Sequence, residues 1–214
     1  MSVQDQPPTS AASGAPGLRE RKKQRRFQAI SDTAVALFLA KGFDAVPVAE
    51  VAAAAEVSKP TLFRYFPTKE DLVLHRFADH EDEAARVVAG RADGERLLDA
   101  LQRHFLAGLE RRDPVTGLND DEQVLAYHGL LYGTPSLVAR LYGYQRRSED
   151  ALAAALGDGI GGRLAAAQII AVQRVLALEN WRRIAAGESA AQVHPDAVAT
   201  AEQAFDRLRT GLGL

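Results

Sequence analysis

The sequence predicts an all-α protein of about nine helices, and three observations support this fold class. Apolar residues recur at helical spacing along most of the chain, short breaks of Gly, Pro or polar residues separate these segments, and no convincing strand pattern is present. The chain has 214 residues, 47% hydrophobic and 25% charged, which is enough to bury a core without disulfides. Because Cys is absent, thiol catalysis and zinc–thiolate sites are excluded.

Capping and stop signals divide the chain into a tail and two domains. Residues 1–17, rich in Pro, Ser, Gly and Ala, are expected to be a disordered tail. Residues 18–67 form the first predicted domain, whose third helix has Ser58 as its N-cap. Residues 68–214 form the second predicted domain, which opens with a capping box at Thr68.

Helix boundaries follow from the same signals. The sixth helix is expected to start at a capping box formed by Asn119 and Glu122, and the ninth to start after a break at His194 and Pro195. The predicted helices cover about 18–41, 48–55, 59–65, 68–90, 94–112, 119–133, 135–156, 162–187 and 195–212.

Charge is distributed unevenly, although the formal net charge is only −2. Residues 18–80 hold 11 Lys or Arg against 8 Asp or Glu, whereas residues 81–214 hold 15 against 19. Six positive charges and one negative charge fall within residues 19–26, which include Arg25 and Arg26. A solvated start of a helix fits this segment, and so does an arm that contacts a polyanion such as DNA phosphate.

Residues 47–69 carry the most informative pattern, two short helices joined by a three-residue turn. Small residues allow the two helices to cross closely, with Val51, Val57, Leu62 and Phe66 facing inward. This pattern is typical of a helix-turn-helix, although a plain helical corner is the alternative. In a helix-turn-helix, the following side chains of the second helix are free to meet base edges and phosphates: Ser58, Lys59, Pro60, Thr61, Arg64 and Tyr65.

The same region resembles the TetR family of bacterial one-component repressors. The resemblance lies in Ala36-Leu37-Phe38, Lys41-Gly42-Phe43, Val51-Ala52, Ala55 to Lys59, Thr61-Leu62, Phe63 to Phe66 and Lys69. It implies a three-helix DNA-binding domain followed by a helical domain for ligand binding and dimerisation. It also implies that Lys69 holds a phosphate, that Val48 lies near the DNA backbone, and that these side chains face a double-stranded DNA operator: Ser58, Lys59, Pro60, Arg64 and Tyr65.

Three residues depart from the usual family pattern. Glu56 stands where the family usually has Gly in the turn, Phe63 where it usually has Tyr, and Pro47 where a Thr often caps the second helix. Each departure removes an expected contact or places a bulkier or negatively charged side chain near DNA. We therefore expect weaker phosphate anchoring at these positions, offset by the basic segment at 19–26.

The last two predicted helices are expected to form the interface of a homodimer. The ninth has apolar residues at regular 3-4 spacing, and the eighth is apolar on more than one side. A helix that buries two faces lies inside a bundle or between subunits, so packing within the monomer alone is the alternative. The candidate interface residues are Leu164, Ala171, Val175, Leu178, Val198, Phe205, Leu208 and Leu212.

The middle of the second domain is predicted to hold a pocket for a small apolar or aromatic effector. Apolar walls with a few Tyr, His and Gln side chains suit such a ligand, although each of these residues fits a plain core equally well. The candidates are Phe77, Leu101, His104, Phe105, Tyr127, His128, Leu131, Tyr132, Leu141, Tyr142 and Gln145.

Two further patterns resemble known sites but lack the required context. The G-x-G-x-x-G motif at residues 157–162 follows a helix end, whereas a dinucleotide site needs a preceding strand. His75, Asp79 and Glu83 have helical spacing, but their surroundings are those of an ordinary polar surface. No cofactor and no metal ion are therefore expected.

These observations favour a ligand-responsive DNA-binding regulator, with a homodimeric repressor as the specific hypothesis. The alternative is a helical protein-interaction module with an inactive helix-turn-helix. An enzyme is not expected, because no catalytic elbow, oxyanion motif or P-loop is present. The N-terminus lacks the features of a signal peptide, and no 18-residue apolar stretch is expected to cross a membrane. The expected location is the cytoplasm.

Overall fold

The computed structural model describes residues 18–78, 80–157 and 159–211. Every regular element in these ranges is helical, which confirms the all-α prediction. The ten helices are α1 (Leu18–Lys41), α2 (Val48–Ala54), α3 (Lys59–Tyr65), α4 (Asp71–Ala78), α5 (Glu83–Ala89), α6 (Leu97–Glu110), α7 (Glu122–Gly133), α8 (Pro135–Leu156), α9 (Ile160–Ala185) and α10 (Ala190–Thr210). A short 3₁₀ turn, Pro114–Thr116, joins α6 to α7. The predicted tail at 1–17 and the predicted interface residue Leu212 lie outside the described residues.

The single helix predicted over 68–90 is wrong, because two helices, α4 and α5, occupy this range. Between α4 and α5 the backbone hydrogen bonds join residues that are only three apart. The N–H of His80 donates to the carbonyl of Phe77, and the N–H of Glu83 donates to the carbonyl of His80. This tighter spacing ends the α-helical pattern. The separate helix α5 packs against both α6 and α8.

The predicted start of the last helix at Pro195 is also wrong. Ser189 caps α10, since its Oγ accepts a hydrogen bond from the N–H of Gln192 at 3.3 Å and the Gln192 side chain accepts one from the N–H of Ser189 at 2.8 Å. This capping box starts the helix five residues earlier than expected and places Pro195 inside it. The isolated dipeptide His194-Pro195 is a weaker signal than a complete capping box.

The predicted capping box of Asn119 and Glu122 is replaced by a different cap. Asp121 is the N-cap of α7 and accepts hydrogen bonds from the N–H groups of Gln123 at 2.9 Å and Val124 at 3.3 Å. Asn119 instead accepts a bond from the N–H of Asp121 at 2.9 Å, which forms the turn before the helix. Both residue types favour caps, and the path of the chain decides which one is used.

Two hydrophobic cores organise the described chain. The first joins α1, α2, α3 and α4 to residues of α7 and α8, including Leu131 and Leu137. The second joins α5, α6, α8, α9 and α10. By length and mean hydropathy α9 is long and apolar enough to cross a membrane, which the sequence did not lead us to expect. Its residues Ile169 and Leu176, however, belong to the second core. The domain boundary at residue 67 stays a prediction, and the first core extends across it.

Gly117 allows the turn before α7 to pack directly against α9. Its φ is +72°, and an added Cβ would lie 1.9 Å from the carbonyl oxygen of Ala177. Asn180 of α9 donates a hydrogen bond to the carbonyl of Thr116 at 2.9 Å. The turn is therefore fixed to α9, and it forms part of the wall of the cavities described below.

Glu56, in the turn between α2 and α3, has a φ of +53°, in the left-handed region that favours Gly. We expect Glu56→Gly to raise the free energy of unfolding by about 1 kcal/mol, because the strain of a side chain there exceeds the entropy that Gly costs. Urea denaturation measures this change. Glu56→Ala removes the same charge but keeps Cβ, so it should bring no such gain; an equal gain would assign the effect to charge.

Candidate functional site

The second helix of the helix-turn-helix, α3, packs against the first hydrophobic core on its inward side. Leu62 and Phe66 have exposures of 0% and 2%, and they face α1, α2 and α4. The ring of Phe27 on α1 lies 4.6 Å from that of Tyr65 and 5.3 Å from that of Phe66, measured between centroids. The Oγ of Ser58 caps α3 by accepting the backbone N–H three residues later, at 3.2 Å. The orientation of α3 is therefore fixed by its inward side.

The outward side of α3 brings together hydroxyl, basic and aromatic groups. Six of the residues predicted to contact DNA are exposed: Arg25, Arg26, Ser58, Lys59, Pro60 and Arg64. Four are half-buried: Val48, Thr61, Tyr65 and Lys69. The guanidinium of Arg64 lies 5.2 Å from the centre of the Tyr65 ring, which holds positive charge over this surface. The arrangement suits contacts with phosphates and base edges.

Phe63 is a surface residue that the sequence analysis considered only as a departure from a family pattern. Its side chain is 46% exposed, next to Arg64. A large exposed aromatic ring beside a basic side chain can pack against a sugar or a base. Its place on the outer side of an otherwise well-patterned helix is the signal that could have identified it.

Lys69 is bonded within the protein as well as available to DNA. Its Nζ donates a hydrogen bond to the carbonyl of Phe43 and lies 4.4 Å from the centre of the Phe43 ring and 5.3 Å from that of Phe38. An ammonium has three N–H donors, so further donors remain for a phosphate. Lys69 consequently links the segment before α4 to the loop between α1 and α2.

The first turn of α4 is bonded to three other helices. Arg140 of α8 donates two hydrogen bonds to the carboxylate of Asp71, at 2.9 and 3.1 Å. Ser31 of α1 donates to the carbonyl of Leu72 at 2.7 Å, and the next carbonyl accepts a bond from α7. Burial opposes ionisation of Asp71, but the hydrogen bonds from Arg140 and Thr68 outweigh it and hold the pKa of this carboxyl below its ordinary value.

A first cavity of about 180 Å³ lies between α4 and α9, with α6 and α8 at its sides. Seven predicted ligand residues line it: Phe77, Leu101, His104, Phe105, Tyr132, Leu141 and Gln145. Two predicted residues lie elsewhere, since Leu131 is fully buried in the first core and Tyr142 is 58% exposed on α8. The reason is helical geometry, because Tyr142 follows Leu141 directly and so points about 100° away from it.

Several residues that line this cavity were missed by the sequence analysis. Tyr144 lies three residues after Leu141 on the same side of α8, so helical spacing could have identified it. Ile170 and Arg174 come from α9, which was assigned to the dimer interface alone. A helix that is apolar on several sides gives no sequence signal for which side faces a cavity.

Glu83 forms a negatively charged centre in the wall of the first cavity. Its carboxylate lies 3.0 Å from Nδ1 of His80 and 3.1 Å from Nε2 of His104. The hydrogen bond with His80 is the main reason that the pKa of Glu83 is lowered from its ordinary value, although partial burial opposes the shift. This side of the cavity can therefore receive a hydrogen-bond donor.

A second cavity of about 200 Å³ lies beside the first and shares Phe77, His80, Asp113 and Val115 with it. Tyr127 and His128 of α7, both predicted as ligand residues, line this second cavity. The hydroxyl of Tyr127 donates to the carbonyl of Val73 on α4 at 2.8 Å, and burial raises the pKa of this phenol. His128 is only 5% exposed, and burial lowers its pKa to about 4.

The predicted interface residues divide between the surface and the core of the monomer. Leu164 and Val175 on α9 are 56% and 54% exposed, and the adjoining Ile160 is 66% exposed. Phe205 is fully buried within its own chain, where its ring centre lies 6.3 Å from that of Phe105. The remaining described candidates are half-buried: Ala171, Leu178, Val198 and Leu208. The exposed apolar surface is therefore carried by α9.

His128 predicts a pH dependence of stability. Its pKa is about 4 in the folded protein and 6.5 as an ordinary His, so between these values the unfolded chain binds more protons and stability falls as the pH falls. We expect this group to contribute a loss of about 2 kcal/mol between pH 7 and pH 5. Urea denaturation at the two pH values should show a smaller loss for His128→Phe. Equal losses in the two proteins would mean that other groups cause the effect.

The chain is similar to known regulatory proteins in sequence. Residues 30–75 match the family model described as bacterial regulatory proteins, tetR family. The HTH-type transcriptional regulator TcmR of Streptomyces glaucescens is 35% identical over 147 residues, which are 68% of this chain and 64% of TcmR. The matched part of this chain thus spans just under two thirds of that relative.

The fold is shared with solved structures at low sequence identity. The crystal structure of NalD, the secondary repressor of the MexAB-OprM multidrug efflux pump in Pseudomonas aeruginosa, has a TM-score of 0.56 at 16% identity and covers 85% of this chain and 97% of NalD. A TetR-family regulator from Streptomyces coelicolor has a TM-score of 0.55 at 18% identity and covers 89% and 99%. The match of residues 30–75 to the family model and the 35% identical relative show that this chain belongs to the TetR family of bacterial regulatory proteins.

Proposed function

We propose that this protein is a DNA-binding transcriptional regulator, a homodimeric repressor that leaves a palindromic operator when a small apolar or aromatic effector binds. The observation that carries the proposal is the outward side of α3, where Lys59 and Arg64 are exposed on a helix whose inner side is fixed by Leu62 and Phe66. A rigid helix with exposed basic and hydroxyl groups at its start is what reading a major groove requires.

The exposed apolar residues of α9 support a homodimer. Ile160, Leu164 and Val175 are each more than half exposed, and apolar side chains of this size are seldom left in contact with water in a group. A second copy of α9 covers them through a two-fold interface. Two-fold symmetry places two copies of α3 on one face, which suits two half-sites of a palindrome.

The contacts between α4 and the cavities support control by an effector. Phe77 of α4 lines both cavities, and α4 follows the helix-turn-helix directly. An occupant that favours another position of α4 changes the separation of the two α3 helices in the dimer. A tenfold preference for the non-binding state corresponds to about 1.4 kcal/mol, and the operator must weaken effector binding by the same factor.

The other features accord with a regulator rather than an enzyme or a membrane protein. The similar protein TcmR carries the name of a transcriptional regulator, and the apolar sides of α9 are accounted for by the second core and the proposed dimer. We infer a cytoplasmic protein whose N-terminal domain ends near residue 67 and whose remaining helices bind effector and partner subunit. The alternative, a protein-interaction module with an inactive helix-turn-helix, requires that no DNA sequence be preferred.

The proposal predicts different roles for Lys59 and Arg26 in DNA binding. A palindrome selected from random DNA by the protein serves as the cognate site. Lys59→Ala should weaken binding to this site more than to random DNA, because Lys59 lies at the start of α3. Arg26→Ala should weaken binding to the cognate site and to random DNA equally. It should also reduce the slope of log affinity against log salt concentration by about one unit, as the loss of one phosphate contact does.

Gel-shift titrations at several salt concentrations measure both effects. Arg207→Ala, an exposed charge on α10, is the matched control and should leave affinity and salt slope unchanged. Failure to select any sequence would support the interaction-module alternative. Equal losses on cognate and random DNA for Lys59→Ala would assign this side chain to anchoring only.

The proposed dimer predicts that a charge at Val175 separates the subunits. Val175→Asp should weaken dimerisation by at least about 2 kcal/mol, because two carboxylates would be buried without partners. Sedimentation at low micromolar concentration measures the change, and palindromic DNA binding should weaken with it. Tyr142→Asp, at a residue that is 58% exposed on α8, is the control and should remain dimeric. A wild-type monomer at these concentrations would contradict the homodimer.

A further inference from the structure

The second cavity has the size and lining of a binding site for a small molecule. It measures about 200 Å³ and lies between α4, the 3₁₀ turn and α7. Its apolar wall is formed by Phe77, Pro114, Val115 and Val124, with the ring of Tyr127 beside them. Cavities of about 150 Å³ with apolar walls hold a benzene ring, so a single-ring molecule fits a space of this volume.

Most polar groups around the second cavity already have partners. Arg76 donates to Asp32 at 2.7 Å, and Asp113 accepts the N–H of Val115 at 3.2 Å. The hydroxyl of Tyr127 is bonded to α4. Each of these groups therefore has at least one hydrogen-bond partner without an occupant.

His128 differs from these polar groups, because one of its ring nitrogens has no partner in the described structure. Its side chain is more than nine-tenths buried and lines the cavity, and Nδ1 has no hydrogen-bond partner among the residues that the structure describes. Leaving a buried polar atom without a partner is costly, and most folded proteins avoid it. Burial also keeps the imidazole neutral near pH 7, since its pKa is about 4, so the ring offers one N–H and one lone pair.

We propose that the second cavity binds a small neutral molecule with a flat aromatic body and one hydroxyl group, and that His128 recognises the hydroxyl. The aromatic body matches Phe77 and Tyr127, whose rings lie 6.3 Å apart at an angle of 24°. The hydroxyl supplies the hydrogen bond that His128 lacks. A neutral ligand is favoured because the guanidinium of Arg76, a cation in the lining, is already paired with Asp32.

Occupancy of this cavity reaches α4 through Tyr127. The ring of Tyr127 is part of the cavity wall, its hydroxyl bonds the carbonyl of Val73, and the guanidinium of Arg76 lies 5.2 Å from the centre of that ring. A molecule against Tyr127 therefore touches the side chain that ties α7 to α4. This regulatory consequence rests on the proposed function, whereas binding itself does not.

Phenol and toluene test the proposal, since they have nearly the same shape and differ in one hydroxyl. Titration of each into the ¹⁵N-His-labelled full-length protein, followed by NMR, gives the affinities and the response of the His128 ring. We expect phenol to bind roughly tenfold more tightly than toluene, the size of one net hydrogen bond. Phenol should also shift the ¹⁵N resonances of His128, and toluene should not.

Two variants separate recognition from packing. His128→Phe keeps an aromatic ring but has no nitrogen, so it should lose the preference for phenol and bind toluene more tightly, because the hydroxyl of phenol would be buried without a partner. Its melting temperature should not fall, because a buried unpartnered group is removed. Trp181→Phe is the matched control, since Nε1 of Trp181 is also buried without a partner in the described structure but does not line either cavity. It should keep the wild-type preference for phenol.

Equal affinity of the wild type for phenol and toluene, or an unchanged preference in His128→Phe, would overturn the proposal. An absent response of the His128 ring to bound phenol would overturn it as well, even where a variant folds poorly. Gel shifts of the same samples keep the two proposals apart. Selective phenol binding without DNA binding would contradict the proposed regulator and support the proposed ligand site. DNA binding without phenol selectivity would support the regulator and contradict the ligand site.

Discussion

The ion pair between Asp71 and Arg140 joins the start of α4 to α8, a helix that contributes residues to both cores. Asp71 is 5% exposed at the first turn of α4, so its charge is stable there only because Arg140 and Thr68 bond its carboxylate. Removing one member of a buried pair leaves an uncompensated charge, which is far more costly than the pair is beneficial. The position of α8 relative to the helix-turn-helix is thereby tied to one carboxylate, two residues after Lys69.

The helix α4 joins the helix-turn-helix to the two cavities, so the proposed control by an effector depends on its position. Its first turn bonds α1, α7 and α8, and its last residues line the cavities. A rigid link of two helical turns transmits a shift at one end to the other, since packed helices move as units. On the far side, α9 lines the first cavity through Ile170 and Arg174 and exposes Leu164 and Val175 to solvent. One helix thus borders both the first cavity and the surface proposed to contact the partner subunit.

Some features around the cavities lower the free energy of unfolding. Nδ1 of His128 is buried in the wall of the second cavity without a partner in the described structure, and atoms that line a cavity make fewer packing contacts than those of a filled core. Two large cores offset this loss, with residues such as Phe38, Phe66, Leu109 and Phe205 fully enclosed. An unpartnered nitrogen in the wall of a cavity beside α4 is consistent with a site that a ligand completes.

The sequence by itself determined the local elements: α1 with its stop at Gly42, the caps and turn of the helix-turn-helix, and α3 with its basic outer side. These depend on nearby residues, so spacing and capping predict them well. Only the tertiary structure decided the break between α4 and α5, the burial of Phe205 and the division of the predicted pocket into two cavities. These depend on which faces of different helices meet, and a helix that is apolar on several sides leaves that choice to long-range packing.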